Sequence, residues 1–108
     1  MTPASGPIRI APVVVGPDAV AAAVLACPLV ARLSGGLAGE VATYLPGRRV
    51  TGVQLRPDEV TVHVVGRYGS TCAQIAAQVR DAVRLLVGQL PVSVGIDDLD
   101  LTGPPRLA

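Results

Sequence analysis

Two alternating runs rich in β-branched residues, 50–55 and 60–67, flank a turn with Pro57 at its second position. Proline presets the backbone angle that a type I turn needs at that position. The sequence therefore predicts a β-hairpin over 50–67 in which Arg56 faces Glu59. The register puts one apolar set on a single sheet face by pairing Leu55 with Val60, Val53 with Val62 and Thr51 with Val64. The opposite face then pairs Gln54 with Thr61, Gly52 with His63 and Val50 with Val65, and places Arg48 near Arg67.

Two helices are predicted around this hairpin. Pro17 and Asp18 are typical of a first helical turn, and Pro28 ends the helix, which gives a helix over 17–26 followed by a short extended piece at 29–33. The second helix, over 70–88, begins at Ser70 as N-cap and ends at Gly88. Its core-facing positions follow helical spacing, namely Ile75, Val79, Ala82, Val83 and Leu86.

The remaining segments are shorter. Helical spacing over Leu37–Tyr44 predicts one or two helical turns, ended by Pro46 and Gly47. Alternation over 92–101 predicts a last strand, and its change of phase at Asp97 predicts a bulge there. The β-branched segment 8–15 is compatible with an edge strand interrupted by Pro12 or with an irregular approach to the first helix.

The order of these elements predicts an α+β fold. We expect a two-layer sandwich, with a small, mostly antiparallel sheet (hairpin 50–67 plus strand 92–101) and helices 17–26 and 70–88 packed on one face. Residues 8–101 would form one domain between tails at 1–7 and 102–108. The other sheet face is left uncovered, and a partner or a second copy of the chain would bind there. The candidate interaction surface is Val50, Gln54, His63, Val65 and Arg67, with Leu85 on the solvent side of the long helix.

Composition argues against several classes of function. The chain has no Phe or Trp and only two tyrosines, so the core must consist of small branched side chains, and this composition argues against a base-stacking surface. The net charge of +1 provides no electrostatic footprint for nucleic acid or an anionic membrane. Partner choice must therefore depend on local contacts.

No catalytic, metal-binding or cofactor-binding pattern is present, and we expect no cofactor. His63, the one histidine, has no predicted Ser or Cys beside it and is interpreted as an exposed strand residue. The acidic cluster at 97–100 lacks the spacing of a calcium loop and is interpreted as a solvated strand end. Cys27 and Cys72 match no metal-ligand spacing and are interpreted as small buried hydrophobes in a reducing compartment. Without a secretory signal or a membrane-spanning apolar run, the expected location is the cytoplasm.

The glycine-rich stretch 34–39 offers one alternative. A phosphate-binding loop needs Lys and Ser or Thr after its last glycine, but Glu40 follows here. Gly36 and Gly39 do fit the GxxG spacing of a KH-type RNA clamp. Arginines on the outer side of the hairpin could form a small basic patch beside it, namely Arg48, Arg49, Arg56 and Arg67. RNA binding is the rival hypothesis.

Several segments carry a family resemblance. They are Val30-Ala31-Arg32-Leu33-Ser34-Gly35-Gly36, Gly52-Val53, Glu59-Val60-Thr61-Val62, Arg67-Tyr68-Gly69, the helix at 75–80 and the final strand at 92–99. Together they resemble the alkaline-shock (Asp/Gls-type) envelope stress response family over most of residues 18–101. Leu29, where a glycine is usual, and Pro17 depart from that pattern.

The resemblance implies a non-enzymatic cytoplasmic protein of envelope homeostasis in Gram-positive bacteria. Such a protein would form homo-oligomers or be held at the membrane by an anchoring partner protein. The family offers no catalytic residues to carry over to this chain.

Overall fold

The computed structural model describes residues 15–101. Two helices and six strands follow one another in chain order: α1 (Pro17–Leu25), β1 (Val30–Leu33), β2 (Ala42–Leu45), β3 (Arg48–Thr51), β4 (Val53–Arg56), β5 (Glu59–Arg67), α2 (Cys72–Val87) and β6 (Val92–Asp100). The predicted α+β class with a mostly antiparallel sheet is confirmed. Segment 8–15, for which the sequence left an edge strand or an irregular approach to the first helix open, lies outside the described residues except for Val15, and the tails at 1–7 and 102–108 lie wholly outside them.

Strand β5 is the centre of the main sheet. On one side it pairs antiparallel with β4 along its first half and with β1 along its second half. On the other side it pairs with β6, which is parallel to it because α2 crosses over between the two strands. This arrangement leaves β6 as an edge strand.

The predicted β4–β5 hairpin is confirmed from the turn as far as Gly52. Arg56 faces Glu59, and the pairs Leu55 with Val60 and Val53 with Val62 are as expected. His63 also pairs with Gly52, because the His63 N–H donates to the Gly52 carbonyl at 2.9 Å. At Gly52 the chain adopts a φ of +87°, which favours glycine, and leaves the hairpin.

The predicted pairs beyond Gly52 are wrong for that reason. Thr51, Val50 and Arg48 belong to β3 and face Ala42, Thr43 and Leu45 on β2. Neither Val50 with Val65 nor Arg48 with Arg67 is a pair. The positive φ at Gly52 redirects the chain into a second sheet.

The predicted helical turn at 37–44 is also wrong. Residues 42–51 form a second hairpin, in which Pro46 and Gly47 make the turn between Leu45 and Arg48. Gly47 has a φ of +76°, as the third position of a type II turn requires after a proline. Of the apolar residues whose spacing suggested a helix, Val41 is buried, whereas Leu37 and Tyr44 are exposed.

Helix α1 begins and ends close to the predicted residues, since Pro17 stands in its first turn and Ala26 caps its end. Helix α2 begins one residue later than expected, because Thr71 and not Ser70 is its N-cap. The Thr71 hydroxyl accepts from the Gln74 N–H, and the Gln74 side chain accepts from the Thr71 N–H. Gly88 caps the C-terminus with a φ of +67°.

Both helices pack on the same face of the main sheet. Among residues 15–101, nine fully buried side chains form the centre of this core, all of them Val or Ile: Val20, Val24, Val53, Val60, Val62, Val64, Ile75, Val79 and Val83. The absence of a side chain at Gly66 lets helix and sheet approach closely, because a Cβ there would clash with Ile75 Cδ1.

The two cysteines differ in burial. Cys27 is buried as predicted. Cys72 is exposed in the first turn of α2, so the prediction that it is buried is wrong.

The predicted bulge in the last strand is confirmed. Ile96 pairs with Val64 and Asp98 pairs with Val65, which leaves Asp97 as the additional residue. Within residues 15–101, neither helix has the length and apolar character to cross a bilayer.

Candidate functional site

A chain of hydrogen bonds joins three strands on the outer face, the face of the main sheet opposite the helices. His63 Nδ1 lies 2.9 Å from Asp97 Oδ1, and the Ser34 hydroxyl donates to Asp97 Oδ2 at 2.6 Å. The Gly36 N–H in turn donates to the Ser34 oxygen at 3.3 Å. Since Ser34 follows β1, His63 lies on β5 and Asp97 on β6, these side chains tie the whole width of the sheet together.

Local backbone features place each member of this cluster. The Ser34 N–H donates to the His63 carbonyl at 2.9 Å, which fixes the serine beside β5. The imidazole lies flat over Gly95, where a Cβ would come within 2.6 to 2.8 Å of three ring atoms. The bulge in β6 directs Asp97 towards the same point.

The environment of Asp97 favours its ionised form. Burial raises the pKa of Asp97, but hydrogen bonds from Ser34 and His63, the charge on a protonated imidazole and the Gly36 N–H together outweigh burial. The pKa of Asp97 therefore lies below its ordinary value. With its side chain only 16% exposed, Asp97 is a partly buried anion and not the solvated strand end that the sequence suggested.

The order of the groups decides what chemistry the cluster supports. In a hydrolytic triad the imidazole lies between the hydroxyl and the carboxylate, so that it can take the proton of the nucleophile. Here the carboxylate lies in the middle, and the Ser34 hydroxyl donates to Asp97 and not to His63. The prediction that no serine lies near His63 is wrong, because Ser34 and His63 bond to the same carboxylate. This arrangement does not activate the Ser34 hydroxyl, because the hydroxyl does not donate to the imidazole.

The other acidic residues of β6 also have local contacts. Asp100 lies 3.7 Å from the Arg32 guanidinium across the outer face, and Asp98 accepts from the Leu99 N–H at 2.8 Å. Within residues 15–101, no three His, Cys, Asp or Glu side chains lie close enough together to hold a metal ion.

The predicted interaction surface is only partly brought together. Gln54, His63 and Arg67 lie half-buried in the main sheet, and Val65 is buried at 5% exposure. Val50 does not belong to this surface, because β3 carries it into the core cluster. Leu85 is 89% exposed on α2, away from the outer face.

The glycine loop does not have the features of a phosphate clamp. Gly36 and Gly39 both have positive φ, but the Ala38 N–H between them donates to the Glu40 carboxylate at 3.0 Å. An anion thus occupies a donor that a phosphate would need. The proposed basic patch is dispersed as well: Arg48 pairs with Asp18 on α1, Arg49 lies 5.9 Å from the ring centre of Tyr44, and Arg56 and Arg67 are at opposite ends of the β4–β5 hairpin.

Sequence reasoning missed an open groove of about 310 Å³ beside the free edge of β6. Its lining is mainly apolar and comprises Tyr68, Cys72, Ile96, Leu99 and Leu101 with Asp97 and Asp98. Tyr68 is 66% exposed and Leu101 is 71% exposed, both unusually high for large apolar side chains that lie together. The sequence signal for this groove was the order of β5, α2 and β6, because α2 crosses over between two parallel strands and β6 then lies at the edge of the main sheet.

The two edges of the main sheet differ. Along β4, the Thr43 hydroxyl donates to the Val53 carbonyl at 2.6 Å and accepts from the Leu55 N–H at 3.2 Å, so the second hairpin occupies that edge. Along β6, no strand within residues 15–101 pairs on the side away from β5. An unpaired strand edge is a template for another chain.

Comparisons with protein-family models, with curated proteins and with solved structures find no match to this chain.

Proposed function

We propose that this protein is a non-enzymatic assembly protein that acts through contacts between copies of itself. The observation that carries the proposal is the coincidence of an unpaired strand edge with an exposed apolar groove along β6. A groove of this kind beside free backbone donors and acceptors suits another polypeptide better than a small polar substrate.

The polar cluster on the outer face supports the same proposal. Its serine, carboxylate and imidazole are hydrogen-bonded in an order that holds β1, β5 and β6 together, and the hydroxyl donates to the carboxylate and not to the imidazole that a triad would use as its base. A role in fixing the sheet accounts for these contacts. Asp97 would then stabilise the sheet and take no part in a reaction.

The resemblance to the alkaline-shock envelope stress response family leads to the same kind of function. We infer from it a cytoplasmic protein of a Gram-positive bacterium that forms homo-oligomers or is held at the membrane by an anchoring partner protein. The Tyr68-Gly69 pair that contributes to the resemblance adjoins the groove, since Tyr68 lines it.

Self-association is tested by light scattering on the purified chain over a hundredfold range of concentration. We expect the mean mass to rise above that of one chain, whose mass is 11.0 kDa. Leu101→Ser should weaken association because Leu101 lines the groove, whereas Leu85→Ser, the same change at a more exposed leucine on α2, should leave it unchanged.

Three results would contradict the proposal. One is a monomer at every concentration; another is binding to single-stranded RNA that falls steeply with salt, which would favour the rival hypothesis. The third is weakening by Leu85→Ser alone, which would move the contact to α2.

A further inference from the structure

We propose that two copies of the chain pair through β6, antiparallel about a two-fold axis at Gly95, to form one continuous sheet. This inference rests on the proposed function, since it specifies how the copies associate. Both copies would keep their helices on the same side of the joined sheet.

The backbone of β6 determines which residues face outward. The Val60 N–H donates to the Pro91 carbonyl at 3.0 Å, so in the alternating parallel ladder residues 91, 93 and 95 bond towards β5. The groups of Val92, Val94 and Ile96 therefore point away from the sheet. The contact of Arg80 Nε with the Val92 carbonyl at 3.4 Å agrees with this direction, because it comes from α2 and not from β5.

Only the middle of this edge is available for pairing. At one end Arg80 occupies the Val92 carbonyl, and at the other the Asp98 carboxylate occupies the Leu99 N–H. Between them, no contact within residues 15–101 blocks the outward groups of Val94 and Ile96. Charged contacts at both ends confine an incoming strand to this short segment.

The free groups determine the register. With the axis at Gly95, Val94 of each copy faces Ile96 of the other, and each of these two pairs exchanges two backbone hydrogen bonds. An axis at Val94 would require the Val92 carbonyl that Arg80 already occupies. An axis at Ile96 would place the bulge at Asp97 in the pairing. Gly95, which lacks a side chain, then lies at the closest approach of the two strands.

The charges at the two ends are complementary under the same symmetry. Arg80 lies at the Val92 end of the edge and Asp98 at the other, and within residues 15–101 neither forms an ion pair. An antiparallel pair brings the Asp98 end of one copy beside the Arg80 end of the other. The symmetry produces this contact twice. Val94, Ile96 and Leu99, which are only half-buried in one copy, would gain cover from the second.

A charge-exchange experiment tests the pairing by sedimentation equilibrium. Arg80→Glu and Asp98→Arg should each raise the dimer dissociation constant by about tenfold or more, since each places like charges together twice. An equimolar mixture of the two variants should form a heterodimer, because both contacts are then attractive. Arg56→Glu and Asp58→Arg, changes at exposed charges on the β4 side of β5 and so away from the β6 edge, should leave the constant unchanged.

A backbone change provides a test independent of charge. Val94→Pro removes an outward N–H that β5 does not use, so the monomer should keep its fold, seen in its circular dichroism, while dimerisation is lost. Oligomers that none of these edge variants alters, or a mixture of the two charge variants that stays monomeric, would overturn the pairing and leave the proposed self-assembly intact. A wild-type chain that is monomeric throughout would overturn both.

Discussion

Asp97 is the residue whose charge contributes most clearly to the fold. Its carboxylate accepts from Ser34 and His63 and is largely shielded from water. Because the pKa of Asp97 is lowered in the folded chain, its ionisation stabilises the fold above the ordinary pKa of a carboxyl. That contribution is lost as the pH falls through the lowered pKa, so acid should weaken the contacts between β1, β5 and β6.

Asp97→Asn should therefore destabilise the fold by about 2 kcal/mol at pH 7, the typical loss for hydrogen bonds to a buried charge. Urea unfolding at pH 7 and pH 3 measures the difference from wild type, which should shrink at pH 3 because that pH lies below the ordinary pKa of a carboxyl, where the lowered pKa of Asp97 no longer gives its full stabilisation. Asp58→Asn, in the exposed turn between β4 and β5, is the matched control and should have no effect. A difference equally large at both pH values would show that the charge of Asp97 is not responsible.

At the scale of elements, one side chain of the second hairpin bonds to the backbone of the main sheet. The Thr43 hydroxyl bonds to both the Val53 carbonyl and the Leu55 N–H, which are the groups that a neighbouring strand would use on β4. Thr43→Val keeps the shape of the side chain and leaves both backbone groups unpaired. We expect a loss of about 1 to 3 kcal/mol in the free energy of unfolding.

Amide hydrogen exchange would localise that effect. Faster exchange at the Leu55 N–H in the variant, with β6 unchanged, is the expected pattern. Thr51→Val, a change of the same kind on β3, serves as the control, since no hydrogen bond of the Thr51 side chain joins it to β4. Equal exchange of the Leu55 N–H in wild type and Thr43→Val would argue that the hydroxyl contributes nothing.

The same two hairpins show how far the sequence predicts this fold. The β4–β5 register follows from Pro57 and from alternation on both sides of the turn, which are local signals. The β2–β3 hairpin was missed because Leu37, Val41 and Tyr44 fit helical spacing, although Pro46 and Gly47 carried the signature of a type II turn. Short apolar segments do not distinguish the two structures by periodicity alone.

The site was less predictable for a physical reason. Ser34, His63 and Asp97 are at least 29 positions apart in the sequence and meet only because β1 and β6 flank β5 on opposite sides. The alternation of β5 indicated that His63 faces outward, and the change of phase indicated the bulge at Asp97. Neither pattern identified β1 and β6 as the neighbours of β5, so the cluster required the tertiary structure.

At the scale of the whole molecule, the two cysteines lie in different environments, one in the core and the other at the surface. Cys27 packs between α1 and α2, with its sulfur 3.8 Å from the Gln78 carbonyl, and burial raises the pKa of its thiol. A raised pKa keeps the thiol in its neutral, unreactive form near pH 8. Cys72 lies exposed at the start of α2. The folded chain therefore presents one accessible thiol and one protected thiol.

We expect a thiol reagent such as 5,5′-dithiobis(2-nitrobenzoic acid) to modify Cys72 within the time of mixing and Cys27 only when the core opens. Because the core cluster joins both helices to the main sheet, no small local motion exposes Cys27. In Cys72→Ser the remaining thiol should react at a rate set by global unfolding, and urea should accelerate it in proportion to the unfolded fraction. Rapid reaction of Cys27 in the native Cys72→Ser variant would mean that α1 separates from α2 without global unfolding, and the two layers would then not form a single cooperative unit.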